Sequence, residues 1–327
     1  MPHFPQRRRL LKSAALIGAG LPLARLAVAA APLRIALPSP GTAGSVWRPM
    51  LQRLRAPGLP PLQWTVSDPG KMQVQLIAGS LDVGFFGPIG LAALRARGND
   101  ILLFGPGTNN HSVWLVKADS PFRQPADLKG RKIATQPETA ETYQQARTAA
   151  SLAGLDLKRD FQVVQGSPLA NVALFERGDV DAVIVLEPTA TRLVAQGARQ
   201  IGRVGDMWRQ ATGDSADPFL VGLAAQRGWL EANRETATRL ARAFAQANDA
   251  IAAQPRILRD IHAEIGIKAP ETQAIEAVPA RMSQTYSSRW DAGVWRGMDR
   301  QIAAAISVGI LDPQAGASPV YDGVALA

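Results

Sequence analysis

Thirteen residues stand at turns where the end of a strand would meet a small molecule, and none of them makes a catalytic grouping. They are Ser39, Thr42, Ser45 and Trp47; Asp68; Phe86 and Gly87; Asn110 and His111; Gln136, Glu138 and Thr139; and Glu187. Hydroxyls, amides, aromatic faces and a few acids are materials for reversible capture. Bond-making chemistry asks for other patterns. His3, His111 and His262 lie far apart, with neither an H-E-x-x-H pair nor a G-x-S-x-G turn. Gly70-Lys71-Met72 lacks both the upstream glycine and the hydroxyl of a phosphate-binding loop. The chain has no cysteine, which excludes disulfides, thiolate metal sites, a cysteine nucleophile and a lipid-modified cysteine. No cofactor and no metal is expected.

The same turns constrain the ligand. Lys71 and His111 are the only basic side chains among them. A sulfonate or nitrate can still be held by backbone amides at helix N-termini, helped by Ser39, Thr42, Ser45 and Thr139. Glu138, Glu141 and Glu187 pull towards an amine or an aminopyrimidine. A zwitterion or a neutral heterocycle satisfies both. Trp47 and Phe86 stack on a ring or cover a cation, or they pack into a core. Ser45 and Thr139 serve a ligand or cap a helix. Glu138 and Glu141 contact a ligand or complement the helix dipole from a solvated face. His111 reads as a structural histidine unless a ligand reaches it.

Strands and helices must hold these turns in place. Leu33 to Leu37 reads as a strand, Ser39 to Ser45 as a glycine-rich turn, and Val46 to Leu54 as a helix. That order aims helix amides at a ligand beyond the strand's carboxyl end. Gly87-Pro88-Ile89-Gly90 opens another helix, and Gln136 to Thr142 opens a third after the strand Ile133 to Thr135. Two segments repeat. Gly79-Ser80-Leu81-Asp82-Val83-Gly84 and Gly178-Asp179-Val180-Asp181-Ala182-Val183 each read as a helix-ending glycine, an aspartate and a buried strand, 99 positions apart. The helix before each is expected to bury one stripe, Val74, Ile77 and Ala78 in the first and Leu169, Val172 and Phe175 in the second. Asp82 and Asp181 read as structural. Two α/β lobes follow from the echo, and Asp217 to Leu223 reads as a strand crossing back to the first lobe before a helical tail from Gly228.

The N-terminus points outward from the cytoplasm. Arg7-Arg8-Arg9-Leu10-Leu11-Lys12 precedes a short apolar stretch diluted by Gly18 and Gly20, then Arg25 and the small-residue run Ala27 to Ala31. This is the order of a cleaved signal and resembles a twin-arginine leader over residues 1–29. The stretch is too short and interrupted for a membrane span, which needs about 20 mostly apolar residues. Loss of the leader removes five cations and lowers the formal charge from +9 to +4. Without clustered Lys and Arg on one face, nucleic acid is not an expected partner.

Longer motifs carry a family resemblance. Val113-Trp114-Leu115-Val116-Lys117-Ala118-Asp119-Ser120-Pro121 is followed by Asp127-Leu128-Lys129-Gly130-Arg131-Lys132-Ile133-Ala134, then by Leu152-Ala153-Gly154-Leu155-Asp156 and Arg227-Gly228-Trp229-Leu230. With the two Gly/Asp/Val segments, these resemble the solute-binding proteins of ABC importers for nitrate, sulfonates, taurine and thiamine precursors. The resemblance implies a type II periplasmic-binding-protein fold, α/β with two lobes, each a mostly parallel sheet flanked by helices with a cleft between. Lobe 1 is expected over residues 30–112 and 218–327, lobe 2 over 113–217. It implies a periplasmic monomer that takes a small molecule to an ABC permease and its ATPase. An enzyme of the same fold, of the thiamine-pyrimidine or menaquinone-pathway type, is the alternative, as is a binding protein that serves a sensor. The first enzyme relies on a cysteine-rich iron motif, which this chain lacks, and the second type is cytoplasmic.

Overall fold

Apolar runs that are continuous rather than alternating make strands covered on both faces. The computed structural model describes residues 31–67, 69–316, 319–324 and 326; the leader and Asp68 lie outside them. The strands are β1 (Leu33–Pro38), β2 (Leu62–Ser67), β3 (Gly84–Phe86), β4 (Ile101–Asn109), β5 (Val113–Val116), β6 (Lys132–Thr135), β7 (Gln162–Gln165), β8 (Ala182–Val185), β9 (Arg199–Arg203) and β10 (Phe219–Gln226). Between them run α1 (Trp47–Leu54), α2 (Pro69–Ile77), α3 (Pro88–Arg95), α4 (Glu141–Leu152), α5 (Pro168–Arg177), α6 (Thr189–Ala195) and α7 (Val204–Thr212). The tail is helical: α8 (Arg227–Ala232), α9 (Arg234–Ala253), α10 (Ile257–Asp260), α11 (Thr272–Met282) and α12 (Ala292–Ser307).

Two sheets share one plan. In the first, β1 pairs in parallel with β2, Ile35 bridges in parallel to Val83, and β10 lies antiparallel between β3 and β4. The order is therefore β2-β1-β3-β10-β4. In the second, β6 pairs in parallel with β7 and β8, while β5 lies antiparallel between β8 and β9, giving β7-β6-β8-β5-β9. Four of the five strands in each sheet point the same way. The exception is in both cases a strand adjoining a passage of the chain from one sheet to the other.

The repeated segments occupy matching places in this plan. Gly79 (φ 68°) and Gly178 (φ 81°) stop α2 and α5 in the left-handed conformation that glycine adopts without a Cβ clash. Asp82 Oδ2 then accepts from the Arg34 backbone N–H at 2.8 Å, and Asp181 Oδ2 from the Lys132 N–H at 3.0 Å, each at the start of the neighbouring strand. Both aspartates tie the central strand of a sheet, β3 or β8, to its neighbour, β1 or β6.

The expected helix stripes need correction. Val74 (66 % exposed), Ile77 (44 %) and Leu169 (81 %) point to solvent. Met72 and Leu76 face inward on α2, and Asn171 and Phe175 on α5. In helices this short two stripes satisfy helical spacing, and the contact of Met72 Sδ with the Phe85 amide, at 3.0 Å, selects one of them. Trp47, Phe85 and Phe244 centre the core of the first sheet, with the Trp47 and Phe85 rings stacked at 4.5 Å. Along β5, Trp114 and Val116 face one core of the second sheet and Val113 and Leu115 the other, as strand alternation requires.

Candidate functional site

Gly87-Pro88-Ile89-Gly90 begins α3 directly after β3, and Gln136 to Ala140 leads from β6 into α4. These turns belong to different sheets and share one cavity of about 320 Å³. Phe86, Gly87, Gln136, Glu138 and Thr139 line it, with Gln73, Arg97, Glu141 and Gln144. Phe86 is part-buried, whereas Glu138 and Thr139 are exposed. Glu138 pairs with Lys158 at 2.8 Å, and that hydrogen bond holds its carboxyl below the usual range. The start of α4 is Glu141, capped by no side chain. Thr142 Oγ1 instead donates to Gln136 Oε1 at 2.8 Å, which braces the turn.

Glu141 is the anomaly of this wall. It does not sit on a solvated face but is buried. Its Oε2 accepts from the Gly90 N–H at 2.7 Å and its Oε1 from the Ile89 N–H at 3.2 Å, so the carboxylate closes the first turn of α3. Gln145 Nε2 donates to Oε1 at 3.0 Å. A Cβ on Gly87 would fall 2.1 Å from Glu141 Cγ, and one on Gly90 would fall 3.2 Å from Oε2. Burial pushes the Glu141 carboxyl up to about 7, and these hydrogen bonds act against it.

The other expected residues divide among three places. Thr42 lines a narrow gap of about 10 Å³ with Gln136 and Thr189, where Thr189 Oγ1 donates to Gly41 O at 2.9 Å and Thr42 bridges to Pro188. Ser39 lends its carbonyl to Thr42 Oγ1 at 2.7 Å, and Ser45 Oγ donates to Thr42 O at 2.7 Å, so these hydroxyls brace their own turn. Trp47 is fully buried with its Nε1 donating to Asn248 at 3.0 Å. It belongs to the core, where its ring stacks on Phe85 and meets a tilted Phe244, and it lines neither cavity.

Asn110, His111 and Glu187 line a second cavity of about 270 Å³ with Gln200, Arg203 and Arg281. Glu187 is bound there by Arg281, whose Nε donates to Oε1 at 2.8 Å. His111 Nδ1 lies 2.8 Å from Asn109 O and its buried Nε2 has no protein partner. Burial lowers its pKa to about 4, and Arg203 lowers it further against the Asn109 contact. The sequence contains no local sign of Arg97, Arg203 or Arg281 as wall residues, since each arrives from an element distant in the chain. Among the described residues no cluster of His, Asp and Glu could hold a metal ion, and no helix is long and apolar enough to cross a membrane.

Residues 39–272 match the family described as ABC transporter, phosphonate, periplasmic substrate-binding protein. The chain belongs to this family. Two relatives from Escherichia coli (strain K12) match this chain in part. A protein named for aliphatic-sulfonate binding is 29 % identical over 147 residues, 44 % of this chain and 46 % of its own. The taurine-binding periplasmic protein is 26 % identical over 159 residues, 45 % of this chain and 48 % of its own. The chain thus spans about half the length of the curated relatives it matches. The alkanesulfonate-binding protein SsuA from Xanthomonas axonopodis pv. citri, solved bound to MOPS, superposes with a TM-score of 0.70 at 21 % identity, over 90 % of this chain and 98 % of that one. At that identity the likeness speaks for the fold, an α/β periplasmic-binding-protein fold of two lobes.

Proposed function

We infer that this chain is the substrate-binding component of an ABC importer: it captures a small organic solute, of sulfonate, taurine or thiamine-precursor type, between two lobes and hands it to a membrane permease with its ATPase. Lobe 1 comprises residues 30–112 and 218–327, and lobe 2 residues 113–217. Residues 1–29 direct export to the periplasm by the twin-arginine route, and the mature chain acts as a monomer without catalysing a reaction.

The observation that carries this reading is the cavity of about 320 Å³ between the β3–α3 and β6–α4 turns. Ligands of open α/β sheets lie beyond the carboxyl ends of the strands, and this cavity touches the carboxyl ends of one strand from each sheet, β3 and β6. Its size falls in the range of small-molecule sites. A ligand held by both walls stabilises the closed arrangement by its differential affinity for it.

A thermal-shift panel tests the reading on the mature protein, with taurine, alkanesulfonates, alkylphosphonates, nitrate and aminopyrimidines. One class is expected to raise Tm, bind with one-to-one stoichiometry and be recovered unchanged. At a hundredfold excess over Kd the stabilisation is about 2.7 kcal/mol. Turnover of a compound by the purified chain, or a panel without any response, overturns it. Replacing Arg7 and Arg8 by lysine should retain the precursor in the cytoplasm; undiminished export would refute the twin-arginine route.

A further inference from the structure

The first turn of a helix is an anion seat, because its N–H groups lack intrahelical partners and the dipole favours negative charge. In α3 that seat is occupied by the protein itself. Glu141 reaches it from α4, and its two oxygens take the Ile89 and Gly90 amides. Gly87 and Gly90 supply the room: a Cβ at either position would press on the Glu141 side chain. The carboxylate is buried and at the same time part of the cavity wall. Glu138 adds a second acid to that wall, against the single guanidinium of Arg97.

We propose that Glu141 is the specificity-determining residue of this cavity: by filling the oxyanion seat of α3 it turns away the anionic end of a solute and admits the end that donates hydrogen bonds. The inference rests on the reading of the cavity as the solute site, and it names the solute class as one with an amine or other donor group opposite its acidic head. Glu141 Oε2 takes one amide, which leaves it a second acceptor position, and the residue borders the cavity. Phe86 adds an aromatic face for a cationic end. The high pKa of Glu141, about 7, agrees with a carboxylate that lacks full compensation until a donor joins it.

Glu141→Ala empties the seat and is tested with two probes, sodium methanesulfonate and sodium formate, against sodium chloride at matched ionic strength. Formate restores the missing carboxylate, and methanesulfonate reports the entry of a sulfonate head. Both are expected to bind the variant at least tenfold more tightly than the wild type, read by calorimetry and by upward shifts of Tm. A folded variant whose affinities equal those of the wild type overturns the proposal, whatever the wild-type panel returns. A variant that folds only with formate supports it. If Glu141→Ala fails to fold in either salt, Glu141→Asp decides: one methylene shorter, it withdraws the carboxylate from the seat and keeps an acid in the wall, so a gain of at least threefold for methanesulfonate supports the proposal and no gain overturns it. A wild type that binds nothing in the solute panel, beside a variant that gains formate, separates failure of the transport reading from failure of this one.

Discussion

Two buried residues carry opposite pH dependences. Burial raises Glu141 from 4.5 to about 7, so the folded chain holds that proton more tightly than the unfolded one. Its contribution is fully present below about pH 4.5 and is lost as pH rises through about 7. Burial lowers His111 from 6.5 to about 4, so the unfolded chain binds that proton more tightly. Its contribution is present above about pH 6.5 and is lost as pH falls through about 4. Each shift is on the order of 3 kcal/mol, and between about pH 4.5 and 6.5 they offset one another. Glu141→Gln should therefore expose a stability that climbs with pH across this window, and His111→Gln one that falls, both read from urea midpoints at three pH values. Equal slopes in both variants would remove the assignment. That an acid opens α4 is readable from the sequence; that its partner lies 51 residues earlier is not, because only tertiary packing brings α3 and α4 together.

At the scale of elements, the paired aspartates permit a comparison within one molecule. Asp82 binds both the Arg34 backbone N–H and its guanidinium, whereas Asp181 binds the Lys132 N–H from a more exposed position. Removing an acceptor from a buried donor costs about 1–3 kcal/mol, and less where water replaces it. Asp82→Ala is expected to lower stability by about 2 kcal/mol and Asp181→Ala by less than about 1 kcal/mol, with helical content unchanged in circular dichroism; a larger loss for Asp181→Ala would break the analogy. The glycine, the aspartate and the buried strand were legible because each signal is local. Strand order was not, since the place of β10 between β3 and β4 depends on pairings more than 100 residues apart in the chain. The helix stripes misled for a related reason: Val74 and Leu169 have the spacing of a buried face, and only the sheet beneath decides which face that is. In the site, turns next to strands were legible as wall residues, as Phe86, Gly87 and Gln136 illustrate. Trp47 was open to two readings, and its neighbours Phe85 and Phe244 decide for the core.

The whole molecule is organised by two passages of the chain between its sheets, after β4 and before β10. They are laced together, since the Asn110 N–H donates to Pro218 O at 2.7 Å, and Asn110 Nδ2 donates to Gln145 Oε1 at 2.8 Å while Gln145 Nε2 donates to Phe219 O at 2.8 Å. Away from these passages the halves meet where Glu141 takes the first amides of α3, where Arg281 binds Glu187, and through side chains of α6. Arg192 Nε donates to both oxygens of Glu271, at 2.8 and 3.0 Å, and Thr189 Oγ1 to Gly41 O. The Arg192–Glu271 pair is largely buried, with side chains 23 % and 18 % exposed, so it is screened less than a surface pair. If the two lobes move about the passages, this pair stabilises the closed arrangement and not the open one. Affinity then falls with the fraction of molecules that are closed. Arg192→Ala with Thr189→Val should cost the closed form on the order of 1–2 kcal/mol and weaken solute binding about 5- to 30-fold, although neither residue lines the cavity between the β3–α3 and β6–α4 turns. Small-angle scattering of the ligand-free double variant should give a larger radius of gyration than the wild type, and saturating solute should bring the two together. Unchanged scattering with unchanged affinity would place the moving boundary elsewhere. Weaker affinity without a change in scattering would instead assign Thr189 and Arg192 to the solute itself.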